Sequence, residues 1–212
     1  MEVIPSINCH LNDTDCVKEK VKTAELLDGW VHLDVADGRF TYSKTWNSPD
    51  EWKKIGRNLN LEVHLMVEEP LEIAREWLLA GAKRIIIHLE VLDLELVDRI
   101  IALVKQYKAE PILAFNPETR INSFPEIESR FLSFLVLCVH QGSAGQNFLP
   151  LNLEKIAALR KKYPHATIEA DGGINKETGK LAKIAGVNIL ISASHIFGSE
   201  NPQGAYQELV SL

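Results

Sequence analysis

From one end of the chain to the other, short runs of β-branched and aliphatic residues alternate with stretches of helical period. Strands are expected at Val3–Ile7, Trp30–Val35, Leu61–Met66, Arg84–His88, Pro111–Phe115, Phe134–Val139, Thr167–Ala170 and Asn188–Ser192. Helical patterns fill the intervals at Asp13–Leu27, Pro70–Leu79, Asp93–Tyr107, Leu153–Tyr163 and Asn175–Ala185, with Gly81 and Gly186 placed to close two of them. Strict alternation implies a parallel sheet covered by helices. Eight repeats favour closure into a barrel over an open doubly wound sheet. An open sheet would tend to carry a glycine-rich turn after its first strand, and here that strand ends in Pro5-Ser6-Ile7-Asn8. The expected fold is therefore α/β, a single (β/α)8 TIM barrel spanning residues 1–212, a length that suits one domain. The least regular stretch, Gly38 to Asp50, reads as a long loop after strand two, at the end of the barrel where active sites sit.

Composition narrows the partners. Acidic residues outnumber basic ones by 29 to 23, a net charge of −6, which argues against a nucleic-acid binder. An anionic small substrate stays open, because backbone N–H groups and helix N-termini can hold a phosphate. No run approaches the ~18 apolar residues of a membrane span, and the opening MEVIPSINCHLNDTD lacks the pattern of a signal peptide. A cytoplasmic protein is expected, with Cys9, Cys16 and Cys138 as buried or half-buried thiols in a reducing compartment.

Side chains two apart on a strand share a face, so His32 and Asp34 point the same way, as do Glu62, His64 and Met66. If that face is the barrel interior, imidazoles and carboxylates replace the usual aliphatic core, and unpaired buried carboxylates are costly. A cation is an economical reason for them. Asp171, before Gly172-Gly173, adds a carboxylate at the end of strand seven. His32, Asp34, His64 and Asp171 are thus the candidate ligands of one divalent metal. Two imidazoles and two carboxylates suit Zn²⁺, Fe²⁺, Mn²⁺ or Co²⁺, with zinc favoured, over Ca²⁺ or Mg²⁺. Glycines form a second constellation. Gly142-Ser143-Ala144-Gly145, Gly172-Gly173 and Ser192-Ala193-Ser194 follow strands six, seven and eight, where barrels commonly bind phosphate.

Read together, these segments resemble the ribulose-phosphate 3-epimerases over nearly the whole chain. Pro5-Ser6-Ile7 resembles the family's PSI, and His32-Leu33-Asp34-Val35-Ala36-Asp37-Gly38 its HxDxMDG. His64-Leu65-Met66-Val67 with Glu69-Pro70 matches HLMV…P, His88-Leu89-Glu90 resembles HxE, and Asn116-Pro117-Glu118-Thr119 resembles NPxT. Gly145-Gln146-Asn147-Phe148, Asp171-Gly172-Gly173-Ile174 and Ser194 with Ile196-Phe197 match three late motifs. The resemblance implies that His32, Asp34, His64 and Asp171 bind the metal, and that Asp34 and Asp171 are the catalytic acid/base pair. It implies inversion at C3 of a phosphorylated ketose, D-ribulose 5-phosphate to D-xylulose 5-phosphate, through a cis-enediolate. Ser6, His64 and Met66 would meet the sugar. Gly142, Gly145, Gly172, Gly173, Ala193 and Ser194 would surround the phosphate. A homo-oligomer is implied as well.

Departures from the family concentrate around the sugar and the phosphate. Ala36 and Leu137 stand where the family has Met, Cys138 replaces a Ser, and His140-Gln141 replace Asn-Pro. Ser143-Ala144 replace Phe-Gly, Ala193 replaces a Gly, and residues 39–47 differ at most positions. Arg39, Lys44 and His140 are candidates for added positive charge at the mouth, and a β-carbon at Ala193 bears on the phosphate turn. Another substrate, such as a hexulose 6-phosphate, or a non-catalytic sugar-phosphate-binding barrel, is the alternative. A decarboxylase of the orotidine-phosphate type would need a Lys in a D-x-K-x-x-D pattern, which the strand-two text lacks.

Overall fold

In the computed structural model, which describes residues 1–27, 29–140 and 146–212, eight parallel strands close into a barrel in sequence order, β1 pairing with β8. The strands are β1 (Glu2–Ile7), β2 (Trp30–Ala36), β3 (Asn60–Met66), β4 (Arg84–His88), β5 (Glu110–Phe115), β6 (Ser133–Leu137), β7 (Thr167–Asp171) and β8 (Ile189–Ser192). Their ends lie within two residues of those expected. The helices are α1 (Thr14–Ala24), α2 (Pro49–Ile55), α3 (Pro70–Leu79), α4 (Leu94–Gln106), α5 (Pro125–Glu128), α6 (Asn152–Lys162), α7 (Lys176–Ala185), α8 (Ser194–Phe197) and α9 (Pro202–Val210).

Local chemistry sets the helix ends. Asp13 and Asp93 cap α1 and α4 by accepting from Cys16 N and Leu96 N. Asn175 and Thr178 form a reciprocal capping box on α7. The helix α2 starts on Pro49 inside the stretch expected to be loop throughout. The remainder of that stretch is tied down by antiparallel bridges, Asp37 to Lys44 and His10 to Thr45. Helices α5 and α9 had no clear sequence signal. The first has only 4 residues, too short for a helical period to register.

The expectation of three free thiols is corrected. Cys9 and Cys16 form a disulfide between the end of β1 and the first turn of α1, with a Cα–Cα distance of 6.1 Å. Asp13 capping folds the intervening residues into a turn, which brings the two thiols face to face. Cys138 is free and buried.

The strands separate two cores. Outward-facing Val31, Leu33, Val63, Ile85, Ile87, Leu113, Phe134 and Val136 belong to the large apolar layer beneath the helices. Inside, Ile4, Ile86, Ile112, Ala114, Leu135, Leu137, Ile189 and Ile191 form a separate cluster. That inner cluster covers only part of the barrel's circumference. The β2 and β3 walls instead present His32, Asp34, Glu62 and His64, all buried.

Candidate active site

Register decides which polar groups meet. His32 pairs with Glu62 and Asp34 with His64 across β2 and β3, so the four side chains stack on one interior wall. Asp171 arrives from β7, separated from β2 around the barrel by β8 and β1. One candidate ligand atom from each of His32, Asp34, His64 and Asp171 lies within 4.8 Å of all the others. Asp34 Oδ1 is 3.2 Å from His32 Nε2 and 3.1 Å from His64 Nδ1. Asp171 Oδ2 is 3.7 Å from the same Nδ1. Ser6, from β1, donates its hydroxyl to Asp34 Oδ2 at 3.0 Å.

The far sides of both imidazoles are also held. His32 Nδ1 lies 2.7 Å from Glu62 Oε1, and Glu62 Oε2 accepts from Arg84 Nη1 at 3.1 Å. His64 Nε2 lies 2.8 Å from His88 Nε2. Outer partners of this kind orient metal-binding histidines and set their tautomers. The donor set and its spacing therefore fit a divalent cation: two imidazoles, two carboxylates, buried, converging, and each ring braced from behind.

The carboxylates are not equivalent. Burial pushes Asp34 up, but His32 and His64 outweigh it and hold the group well below the usual carboxylate range. Burial, and then the charge of Asp34, push Asp171 up to about 7. Buried like charges cannot both ionise cheaply, and Asp171 is the one of the pair that takes up a proton more readily.

Above the cluster opens a cavity whose lining includes Ser6, Asp34, Met66, Leu137 and Asp171. Gly172, Gly173, Ala193 and Ser194 line it as well. Two glycines there take conformations that a side chain would strain. Gly172 has φ +100° and a Cβ would come 2.6 Å from Val139 Cγ2; Gly173 has φ +66° and a Cβ would come 2.7 Å from Phe148 N. Ala193, by contrast, has a negative φ of −103°, so its backbone does not call on the left-handed conformations that favour glycine.

The sequence matches the model of the ribulose-phosphate 3 epimerase family over residues 2–197. The chain belongs to that family. It is 34% identical over 177 residues to the cytoplasmic isoform of ribulose-phosphate 3-epimerase from Oryza sativa subsp. japonica, covering 82% of this chain and 77% of the relative. It is 33% identical over 202 residues to ribulose-phosphate 3-epimerase from Chlamydia pneumoniae, covering 89% and 85%. Among solved structures, KGPDC from Streptococcus mutans in complex with D-R5P superposes with a TM-score of 0.73 over 99% of this chain and 95% of the other, at 11% identity, a likeness of fold alone.

Against the ribulose-phosphate 3-epimerase pattern, the motif residues of the core sit together. Ser6, His32, Asp34, His64, Met66, Asp171, Gly172, Gly173, Ala193 and Ser194 all lie at the C-terminal end of the barrel, in the cluster or on the cavity wall. Gly142 and Gly145 lie outside the described residues. Of the three cations considered at the mouth, His140 lines the cavity and pairs with Glu118 at 2.9 Å. Arg39 is turned to Glu68 and Glu69 instead, and the Lys44 side chain packs over Gly38. Sequence reasoning did not single out Asn8, Ser43 and Thr45, which also line the cavity. It also gave no role to His88, Glu90 or Arg84. The alternation that exposed His64 would have placed Arg84 and His88 inward on β4, had the strand not read as plainly aliphatic through Ile85-Ile86-Ile87.

Proposed function

We propose that this chain is a metal-dependent epimerase that inverts C3 of a phosphorylated ketose, D-ribulose 5-phosphate to D-xylulose 5-phosphate. The observation that carries the reading is the pair Asp34 and Asp171: two buried carboxylates from strands on either side of the β1–β8 seam, reaching one ligand cluster, the first held well below the usual carboxylate range and the second pushed up to about 7. Inversion needs a base on one face of the carbon and an acid on the other. Asp34 takes the C3 proton, the electron pair moves toward the C2 carbonyl to give a cis-enediolate, and Asp171 returns a proton to the opposite face. The reverse reaction exchanges their roles. A divalent cation, zinc favoured over iron, manganese or cobalt, supplies the positive charge that stabilises the developing enediolate. His32, Asp34, His64 and Asp171 hold it.

Ser6 keeps Asp34 Oδ2 hydrogen-bonded while Oδ1 faces the imidazoles, which orients the carboxylate as base. Met66 and His64 meet the sugar without adding a competing acid. Gly172, Gly173, Ala193 and Ser194, with Gly142 and Gly145, surround the phosphate. The protein works in the cytoplasm as a homo-oligomer, without nucleic acid or membrane as partner; among the described residues no helix is long and apolar enough to cross a bilayer. One observation favours a second substrate. Ala36, on the same face of β2 as Asp34, is shorter than the Met that the family carries there, which would suit a longer ketose such as a hexulose 6-phosphate.

The test is solvent exchange. The metal-loaded protein is incubated with each ketose phosphate in D₂O and deuterium at C3 is followed by NMR, with Asp34→Asn and Asp171→Asn as controls. Exchange in the parental protein, lost in both variants, is expected. Absence of exchange with every ketose phosphate sinks the epimerase reading, and exchange only with the hexulose moves the substrate.

A further inference from the structure

The two candidate histidine ligands are braced in opposite senses. His32 turns Nδ1 away to Glu62 and Nε2 toward Asp34. His64 turns Nε2 away and Nδ1 toward Asp34 and Asp171. What stands behind His64 is another imidazole, His88, whose ring stacks on it with centroids 4.9 Å apart. An imidazole can either donate or accept, so it fixes a tautomer only if something fixes its own.

Glu90 does so. His88 Nδ1 lies 3.2 Å from Glu90 Oε2, and a carboxylate in this position accepts. The other oxygen of Glu90 takes the backbone N–H of Asn116 at 3.0 Å and the hydroxyl of Thr119. Three donors converge on one carboxylate and keep it ionised. The His88 hydrogen therefore sits on Nδ1. His88 is fully buried beneath the Phe40 ring, at a centroid distance of 4.8 Å, and lies beside a second imidazole. His64 turns Nδ1 to Asp34 and Asp171, where a cation would take that lone pair, so the hydrogen of His64 belongs on Nε2, facing His88. With its own hydrogen given to Glu90, His88 meets that contact with the lone pair of Nε2. The 2.8 Å N···N contact then needs a hydrogen from the other side.

We infer that His88 and Glu90 are positioning residues that hold the hydrogen of His64 on Nε2, leaving Nδ1 as the nitrogen that binds the cation. The assignment rests on the metal reading above. It gives the site one Nε2 ligand and one Nδ1 ligand, each fixed by a chain ending on a carboxylate: His32 on Glu62, His64 through His88 on Glu90. Glu62, His88 and Glu90 stand behind the ligands and are not among the residues that line the cavity. Both rings are enclosed by protein, so bulk water is not available to reset them.

The assignment is tested on the whole protein, labelled with ¹⁵N-histidine and loaded with Zn²⁺, by long-range ¹H–¹⁵N correlation. Expected is an imidazole with a metallated Nδ1 and a proton on Nε2, assigned to His64 through its loss in His64→Gln, with a hydrogen-bond coupling from that Nε2 to His88 Nε2. A Zn²⁺-loaded His64 with its proton on Nδ1 overturns the positioning role while the metal site stands. No Zn²⁺-dependent change in any histidine overturns the metal reading itself. In parallel, Zn²⁺ affinity is measured for His88→Phe and His88→Gln. Phe removes the acceptor and should weaken binding about 10–100-fold, while Gln can accept from His64 and donate to Glu90 and should recover to within about threefold of the parent. Equal affinity for the Phe variant and the parent overturns the inference. If the Phe variant does not fold, weak binding by a folded Gln variant overturns it equally.

Discussion

The carboxylate behind His32 offers a sharp test of the metal centre, because Glu62 can be neutralised without changing its shape. In Glu62→Gln the amide oxygen can still accept from His32 Nδ1, now at 2.7 Å from Glu62 Oε1, but the amide nitrogen would face Arg84 Nη1, 3.1 Å from Oε2, donor against donor. Turning the amide over relieves Arg84 and breaks the His32 bond instead. Either way one contact is lost, and His32 no longer leans on a full negative charge. Loss of such an outer partner weakens metal binding about 10–100-fold, equivalent to about 1.4–2.7 kcal/mol. Stability should fall too. Breaking a buried ion pair costs about 3–5 kcal/mol when the surviving charge is stranded. Arg84 is not fully stranded: Glu110, Glu2 and Glu169 lie 3.5, 3.8 and 3.9 Å away, and its guanidinium covers the Trp30 ring at 4.1 Å. A loss nearer 1–3 kcal/mol is therefore expected, lowering Tm by roughly 5 °C in a chain of this size. Calorimetric titration with Mn²⁺ or Zn²⁺ measures the first effect and thermal unfolding without metal the second. Parental metal affinity in a folded Glu62→Gln protein would refute the claim that this carboxylate tunes the ligand.

Further expectations follow from the same coordinates. Asp171, pushed up to about 7 from an ordinary 3.8, binds a proton in the folded, metal-free protein that the unfolded chain has released. Its contribution therefore makes metal-free stability fall as pH rises from about 4 to 7, and Asp34, ionised in both states across that window, adds no slope. Metal-free Asp171→Asn should lack this contribution, so its stability difference from the parent should change between about pH 5 and pH 7; a difference in unfolding free energy that is constant over that range contradicts this. Gly172→Ala and Gly173→Ala should each cost about 1–3 kcal/mol or more for the left-handed backbone. Gly173→Ala should be the worse, because its Cβ meets the Phe148 backbone whereas that of Gly172 meets a movable Val139 side chain. Gly29→Ala, with φ +78° and nothing within 4 Å, isolates the backbone cost alone; equal unfolding free energies for all three would refute the clash argument. The disulfide encloses residues 9 to 16, so its removal in a Cys9→Ser/Cys16→Ser protein should cost about 2.5 kcal/mol and lower Tm by about 5–10 °C. A Tm unchanged by the double substitution, or by a reductant, contradicts it.

Much of this is legible in the sequence itself. Strand positions came through because each strand packs its outer face on helices, so apolar residues such as Val31, Leu33, Val63 and Ile85 mark them clearly. His32, Asp34 and His64 stand out because they interrupt that apolar text with period two, and Asp171 because it precedes Gly172-Gly173 at the end of a strand. What was not legible depends on contacts between distant segments. His88 looked like the end of an aliphatic strand, and its meaning appears only when Phe40, His64 and Glu90 surround it. The Cys9–Cys16 bond depends on how tightly residues 10–13 turn, and spacing alone did not point to it. Short helices such as α5 offer too few residues to show a period.

The departures from the family are divided between two kinds of support, and this bears on how specificity can change without loss of chemistry. The candidate ligands are held by strand register and by buried partners behind them. The loop after β2 is tied to the same strand through one side chain. Thr45 Oγ1 donates to the Asp34 carbonyl at 2.7 Å and accepts from Ala36 N at 2.8 Å, and Thr45 N donates back to the Ala36 carbonyl at 3.2 Å. The loop can therefore vary at residues 39–44 while its return point stays fixed at the backbone of a candidate ligand. Ser43 and Thr45 reach the cavity from that loop, whereas Leu137 lines it from β6, where strand pairing to β7 holds the backbone in register. A change at Ser43 therefore needs only a loop adjustment, while a change of side-chain volume at Leu137 acts on a wall whose backbone its neighbours hold in place.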